Sequence, residues 1–350
     1  MAASADPATD AATAGADDNE VDVAIDVDAP RSVEPGLDTS DKVFQHAART
    51  VGVCVLILTT SIGLFLGYQA IPTLRHYGWS FFTESRWSPE HDIIGLSAVL
   101  IGTVEVALIA LAVGFPLAFL TALYISEYAP PRVRSTLVSL VDLMAGIPSI
   151  IYGLWGFFVL QPHAIYVSRW LSQHLGWIPI FKVNTDPDAA VWAQSKFTAS
   201  AFIAGVAVSM MVIPLGCAIM RGVFAQAPLG EREAALALGA TRWGVIRSVV
   251  LPFGRRGVIG GTMLSLGRAL GETIAVLLII SPSFDIKFNV LSVGTMTTSA
   301  LIAGRFGEAS PSQLSALLAA GFVLFLITLG INTIAAVFVN RSRSGSVTEI

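Results

Sequence analysis

Long apolar stretches separated by shorter polar ones dominate this chain. Six stand out: Val51–Pro72, Ile93–Ile125, Leu137–Leu160, Phe197–Met220, Val258–Ile280 and Leu314–Val339. Runs of about 20 apolar residues predict membrane-spanning helices, because a helix satisfies its own backbone polar groups where no water can. The second run is long for one crossing, which predicts a helix that tilts, projects past the bilayer, or bends around Gly114 and Pro116. Between the runs, the pattern from Gly230 to Leu238 predicts a short helix, with Gly239 placed where a left-handed residue ends it. A second amphipathic piece is predicted over Thr241–Val250, stopping at Pro252. In the segment 161–196, "YVSRWLSQHLGW" repeats Val167, Trp170, Leu171 and Leu175 at a helical period. That period suits a helix lying on the membrane or a surface for docking another protein.

Composition places the chain in its class. It is 54% hydrophobic and 13% charged, with a mean hydropathy of +0.69, against about 25% charged in a soluble domain. The expected fold is an all-α polytopic membrane protein in a lipid bilayer. Charge is unevenly spread: Met1–Lys42 carries 11 acidic and 2 basic residues, net −9, whereas the whole chain is −4. Without an aromatic residue before Phe44, that stretch reads as a disordered, solvated tail. It has neither the basic start nor the apolar centre of a signal peptide. The expected division is a tail over 1–42, a six-helix domain over 43–340 with a long loop at 221–256, and a short tail over 341–350.

Lysine and arginine counts set orientation. With both ends in the cytoplasm, thirteen fall on that side and seven outside, with Arg268 left in the membrane. The two cysteines, Cys54 and Cys217, lie in predicted spans and suggest no disulfide framework. Five scattered histidines lack ligand spacing, so no metal site is expected.

Charges within predicted spans are costly, by about 2.5–3.5 kcal/mol at a helix centre, and are candidates for a site. There are four: Glu105, Asp142, Arg268 and Glu272. Arg268 and Glu272 are four apart, which on a continuous helix puts them on one face within reach of each other. Gly260, Gly261, Gly267 and Gly271 lend the same helix a small-residue surface for close packing. One reading is an internal ion pair that mitigates its own burial. The other is an anion site: a guanidinium donates two parallel hydrogen bonds to a tetrahedral oxyanion. A carboxylate beside it accepts the P–OH of phosphate and repels unprotonated sulfate, a filter against the wrong anion. Asp142 is either a third member of that cluster or a residue near the headgroups; its place about one and a half turns beyond Leu137 fits the second better. Glu105 has no assigned role.

The loop Arg221–Arg256 contains Glu233-Ala234-Ala235, three residues, Gly239, nine residues, then Val249, Val250, Leu251 and Pro252. It resembles the EAA loop of bacterial ABC importer permeases, departing only in Val249, where the family has isoleucine. The resemblance implies a coupling helix seated on a separate ATPase. Consistent with that, the chain carries no G-x-x-x-x-G-K-[ST] phosphate loop. No cofactor is expected in this chain, with ATP and Mg used by the partner.

Further stretches narrow the resemblance. "LGRALGETIAV" (Leu266–Val276), "LMAGIPSIIYGLWGFFVLQP" (Leu143–Pro162), "FFT" at Phe81–Thr83, "RWSP" at Arg86–Pro89 and "SALLAAGFVLFLIT" (Ser315–Thr328) are similar to phosphate ABC transporter permeases, the C-type subunit of the Pst system. The similarity covers roughly Gly78–Thr328. It implies that Arg268 and Glu272 serve phosphate passage, and that Glu233, Ala234, Ala235 and Gly239 couple to the ATPase. It also implies a bacterial plasma-membrane assembly with a second homologous permease subunit, two ATP-binding subunits and an extracytoplasmic phosphate-binding protein, and no nucleic acid. Asp142 stands where that family usually has glutamate. A permease for sulfate or molybdate is the near alternative. A secondary transporter is disfavoured by the EAA loop and by the lack of an evident inverted repeat. An intramembrane enzyme is disfavoured because no Ser/His, paired-aspartate or H-E-x-x-H constellation occurs in the spans.

Overall fold

The structure is a computed structural model that describes residues 39–183 and 196–341. Most of the acidic stretch 1–42, residues 184–195 and residues 342–350 lie outside the described residues. The chain divides into two units, 1–56 and 57–350. In the first, every described residue is helical and exposed. This includes Thr39–Lys42, so the helix starts inside the stretch assigned to the tail.

The helices are α1 (Thr39–Tyr77), α2 (Ser80–Thr83), α3 (Ser97–Leu123), α4 (Pro131–Ala145), α5 (Ser149–Trp155), α6 (Gln161–Leu175), α7 (Ala201–Phe224), α8 (Leu229–Ala237), α9 (Arg242–Val245), α10 (Leu251–Leu270), α11 (Ile274–Ile279), α12 (Thr298–Arg305) and α13 (Pro311–Arg341). A two-stranded antiparallel hairpin, β1 (Trp87–Ser88) and β2 (Ile93–Ile94), pairs Trp87 with Ile94. Three wider π turns extend or join helices: Tyr124–Tyr128 after α3, Gly156–Leu160 between α5 and α6, and Ile246–Val250 between α9 and α10.

Among the described residues, five helical stretches are long and apolar enough to cross a membrane: Thr39–Tyr77, Ser97–Tyr128, Ser149–Leu175, Ala201–Phe224 and Pro311–Val337. Four agree with the apolar runs. Of these, the long second one passes unbroken through Pro116 and ends in the π turn. The third is displaced. Gly146, Ile147 and Pro148 interrupt it, because a residue before proline is driven out of the helical region. The crossing therefore starts at Ser149, and "YVSRWLSQHLGW" becomes its second half instead of a separate surface helix. α4 buries no residue fully, but Leu137, Val138 and Val141 pack on a cluster that includes Cys217, Met220 and Phe224.

α7 is the central helix. Ala201, Ala204, Ala207, Val208, Val212, Cys217 and Met220 are all buried, and it packs against α3, α4 and α10. In lipid, where tails are as apolar as leucine, such contact comes from close fit between small residues. Gly257 shows the need: a Cβ there would overlap the Val223 side chain.

One further expectation changes. The helix predicted to stop at Pro252 runs on from Arg242 to Leu270. A π turn precedes the proline, with the Leu251 N–H donating to the Ile246 carbonyl, and proline is tolerated in the first turn that follows. The segment 283–311, which joins the fifth and sixth apolar runs, is built into the core: Val290, Leu291, Met296, Ala300 and Leu301 are buried. Its chain is tied down where the Phe202 N–H donates to the Val290 carbonyl at 2.9 Å and the Val293 N–H to the Lys196 carbonyl at 2.7 Å.

Candidate functional site

The fifth apolar run, Val258–Ile280, is not one helix. α10 ends at Leu270, the chain turns through Gly271, Glu272 and Thr273, and α11 resumes at Ile274. A helix end inside a membrane protein leaves carbonyls without intrahelical partners, and these must be satisfied by other groups. Here side-chain hydroxyls do so. Ser299 Oγ, on α12, donates to the Glu272 carbonyl at 2.6 Å, and Thr273 Oγ1 donates to the Gly271 carbonyl at 3.1 Å.

The break separates Arg268 from Glu272. Arg268, in the last turn of α10, is exposed, while Glu272 is buried at 9% exposure. Among the described residues the two form no ion pair, so the i, i+4 contact expected of a continuous helix is not made. The sequence spacing was right for a helix, but the helix ends between the two side chains. Gly267 lies close to Asn332 of α13, whose Oδ1 is 3.3 Å from where a Cβ would stand. Gly261 packs on α7 against Ile219.

Around the break, hydroxyl groups join three helices. Thr103 of α3 meets Thr298 of α12, with hydroxyl oxygens 3.0 Å apart, and the Thr298 N–H donates to Thr103 Oγ1 at 2.9 Å. Thr103, Thr297, Thr298 and Ser299 are all buried. Sequence reasoning missed this group because it lies between the predicted spans. The signal was "TMTTS", Thr295–Ser299, a hydroxyl-rich run opening a helix.

The other charges in the apolar runs fall elsewhere. Asp142, on α4, faces Arg221 of α7 at 3.7 Å, so its ionic partner is Arg221 and not Arg268. Glu105 of α3 is half-buried and has no ion pair or hydrogen-bonded side-chain partner among the described residues.

The loop at 221–256 keeps the predicted local form. α8 covers Glu233, Ala234 and Ala235, and Gly239 follows at φ +87°. The Ala240 N–H donates to the Ala235 carbonyl at 3.0 Å and the Gly239 N–H to the Leu236 carbonyl at 2.9 Å, the bond pair that closes a helix on a left-handed residue. Thr241 caps the next helix, its hydroxyl accepting from the Gly244 N–H at 3.2 Å. Glu233 is exposed, as are Leu229, Leu236, Leu238 and Trp243, with Leu238 at 89%. A short helix showing this much apolar surface beside a carboxylate is suited to meet another protein.

Residues 114–344 match the model of the family described as binding-protein-dependent transport system inner membrane component. Among curated relatives, the phosphate transport system permease protein PstC of Xylella fastidiosa is 40% identical over 304 residues, covering 86% of this chain and 91% of that one. PstC 2 of Mycobacterium tuberculosis is 37% identical over 309 residues, covering 87% and 93%. A probable PstC of Methanocaldococcus jannaschii is 35% identical over 296 residues, covering 83% and 90%. The EAA turn, the family match and similarity over most of the chain agree: this chain is a permease component of the binding-protein-dependent inner membrane transport family and belongs with its phosphate transport system permeases of the C type.

Proposed function

We propose that the chain is the permease subunit of an ATP-driven importer that moves inorganic phosphate into the cytoplasm, with the α10–α11 break as its substrate gate. The observation that carries this reading is the separation of Arg268 and Glu272: one exposed, the other buried, and neither consumed by the other. Among the described residues neither side chain has an ion-pair partner: the guanidinium is free to attract the anion, and the buried carboxylate favours a ligand that brings its own proton, which phosphate does near neutral pH and sulfate does not. Breaks in spanning helices are tolerated where the irregular backbone lines a path or is buried in protein.

In this reading phosphate arrives from an extracytoplasmic binding protein, and the path runs at the interface with a second, homologous permease subunit. Two copies of a separate ATP-binding subunit hydrolyse ATP with its Mg, and Glu233, Ala234, Ala235 and Gly239 form the docking turn for one of them. Both termini lie in the cytoplasm, as the lysine and arginine bias favours.

The test is phosphate uptake by the reconstituted complex with sulfate as competitor, comparing wild type, Arg268→Lys, Glu272→Gln and the double substitution. Glu272→Gln is expected to admit sulfate as a competitor. If it leaves both uptake and selectivity intact, the filter is wrong.

A further inference from the structure

α8 carries a single cation, and it does not face outward. Arg232, between Glu231 and Glu233, folds back from α8: its Nη1 donates to Glu127 Oε2 at 2.9 Å and its Nη2 to the Phe224 carbonyl at 2.6 Å. Glu127 lies in the π turn that ends α3, its side chain 9% exposed against 20% for Arg232. Its second oxygen accepts from Ser126 Oγ at 2.7 Å. The Arg232 Nε is buried with no partner, so the guanidinium depends on these two bonds. One side chain thus gathers α8, the end of α3 and the last residue of α7.

α8 has little else to hold it in place. None of its residues is buried, and Leu229 and Leu236 are 69% and 52% exposed. A surface ion pair would be a poor link, since exposed pairs hold little and slip. A desolvated pair differs: removing one partner strands a buried charge, which is strongly unfavourable, so the pair keeps its geometry under load. The guanidinium's planar fork adds direction, because two fixed donors define an orientation as well as a distance. The nearby Arg221–Asp142 pair makes the contrast: it is longer, at 3.7 Å, and its carboxylate is 54% exposed.

We propose that Glu127 and Arg232 are positioning residues that form the rigid link between the coupling helix and the membrane bundle, passing displacement of α8 to the ends of α3 and α7. This rests on the reading of α8 as the ATPase-docking helix of a phosphate importer.

The experiment measures phosphate imported per ATP hydrolysed by the full complex, reconstituted with its ATPase subunits, second permease and binding protein. Glu127→Ala and Arg232→Ala are each expected to raise the ATP consumed per phosphate severalfold, with the ATPase still co-purifying at the wild-type level. The double substitution is expected to be no worse than either single one, because the pair acts as a unit. The isosteric Glu127→Gln, which keeps the volume and one acceptor, is expected to show a smaller rise in the same direction. A wild-type ratio in Arg232→Ala, additive effects in the double variant, or an equal rise in Asp142→Asn would overturn the proposal. So would loss of the ATPase from the Glu127→Gln complex, which would make the pair a support for loop folding only. The substrate reading fails separately: a wild-type complex that imports sulfate in place of phosphate overturns it, and the transport ratio is then taken with sulfate.

Discussion

The turn at Gly239 and the break at Gly271 both end a helix beside a motif, yet they end it in different ways. At Gly239 the closing bonds run among residues 235 to 240, and a positive φ lets glycine complete them without outside help. At Gly271 the backbone is not left-handed, and the Glu272 carbonyl is satisfied by Ser299, 27 positions along the chain. A local ending is portable and can stand on the surface as a docking feature. An ending completed by another helix exists only within the packed bundle, where it can hold a buried carboxylate.

Arg268→Ala should have the largest effect on this contrast. Loss of a charge-assisted pair of hydrogen bonds to the anion costs about 1.5–3 kcal/mol, so phosphate uptake should fall on the order of 10–100-fold while ATPase binding is unchanged. Uptake within twofold of wild type would remove the break from the pathway. Next comes Gly239→Ala. Alanine in a left-handed turn costs about 1–2 kcal/mol, equivalent to a loss of about 5–30-fold in retained ATPase affinity. Gly222→Ala, on α7 with open space around it, is the control and should leave affinity unchanged. Equal losses in the two variants would deny the turn its special role.

A smaller change is expected for Ser299→Ala, which removes one neutral hydrogen bond to the Glu272 carbonyl, worth about 0.5–1.5 kcal/mol. It should lower the melting temperature and relax phosphate-over-sulfate selectivity together. A fall in stability with selectivity intact would separate the turn's support from its function.

The smallest effect concerns the hairpin near the end of α1. There Asp92 accepts from the Tyr77 hydroxyl at 2.6 Å and lies 2.9 Å from His76 Nε2. These hydrogen bonds, Tyr77's first and then His76's, hold the Asp92 carboxyl below its ordinary value of 3.8. A depressed carboxyl contributes stability above its ordinary value and loses it as pH falls through the lowered one. Melting of wild type and Asp92→Asn should therefore differ slightly at neutral pH and converge in acid. Curves that stay apart below the carboxylate range would assign the difference to something other than this charge.

Much of the architecture was legible in the residues. Four of the six apolar runs fall on crossing helices, three of them within about four residues and the first on a helix that begins well before it, at Thr39, because length and hydropathy decide insertion before any packing occurs. The Gly239 turn was legible for a similar reason, since the bonds that close it are made by neighbours. The third crossing was misplaced because hydropathy favoured Leu137–Leu160 although Pro148 divides it. The helix stop at Pro252 was misread because a π turn ahead of a proline leaves no trace in a hydrophobic pattern.

By itself, the sequence determined that this is a polytopic helical membrane protein with an EAA turn and charges placed within apolar runs, since these depend on composition and on contacts a few residues apart. Only the tertiary structure decided that Arg268 and Glu272 do not pair, that Asp142 answers to Arg221, and that Arg232 reaches Glu127, 105 positions away. The physical reason is the same in each case: the partners lie far apart along the chain, so the packing that brings a distant hydroxyl or ion near decides where a helix ends and which charge stays free.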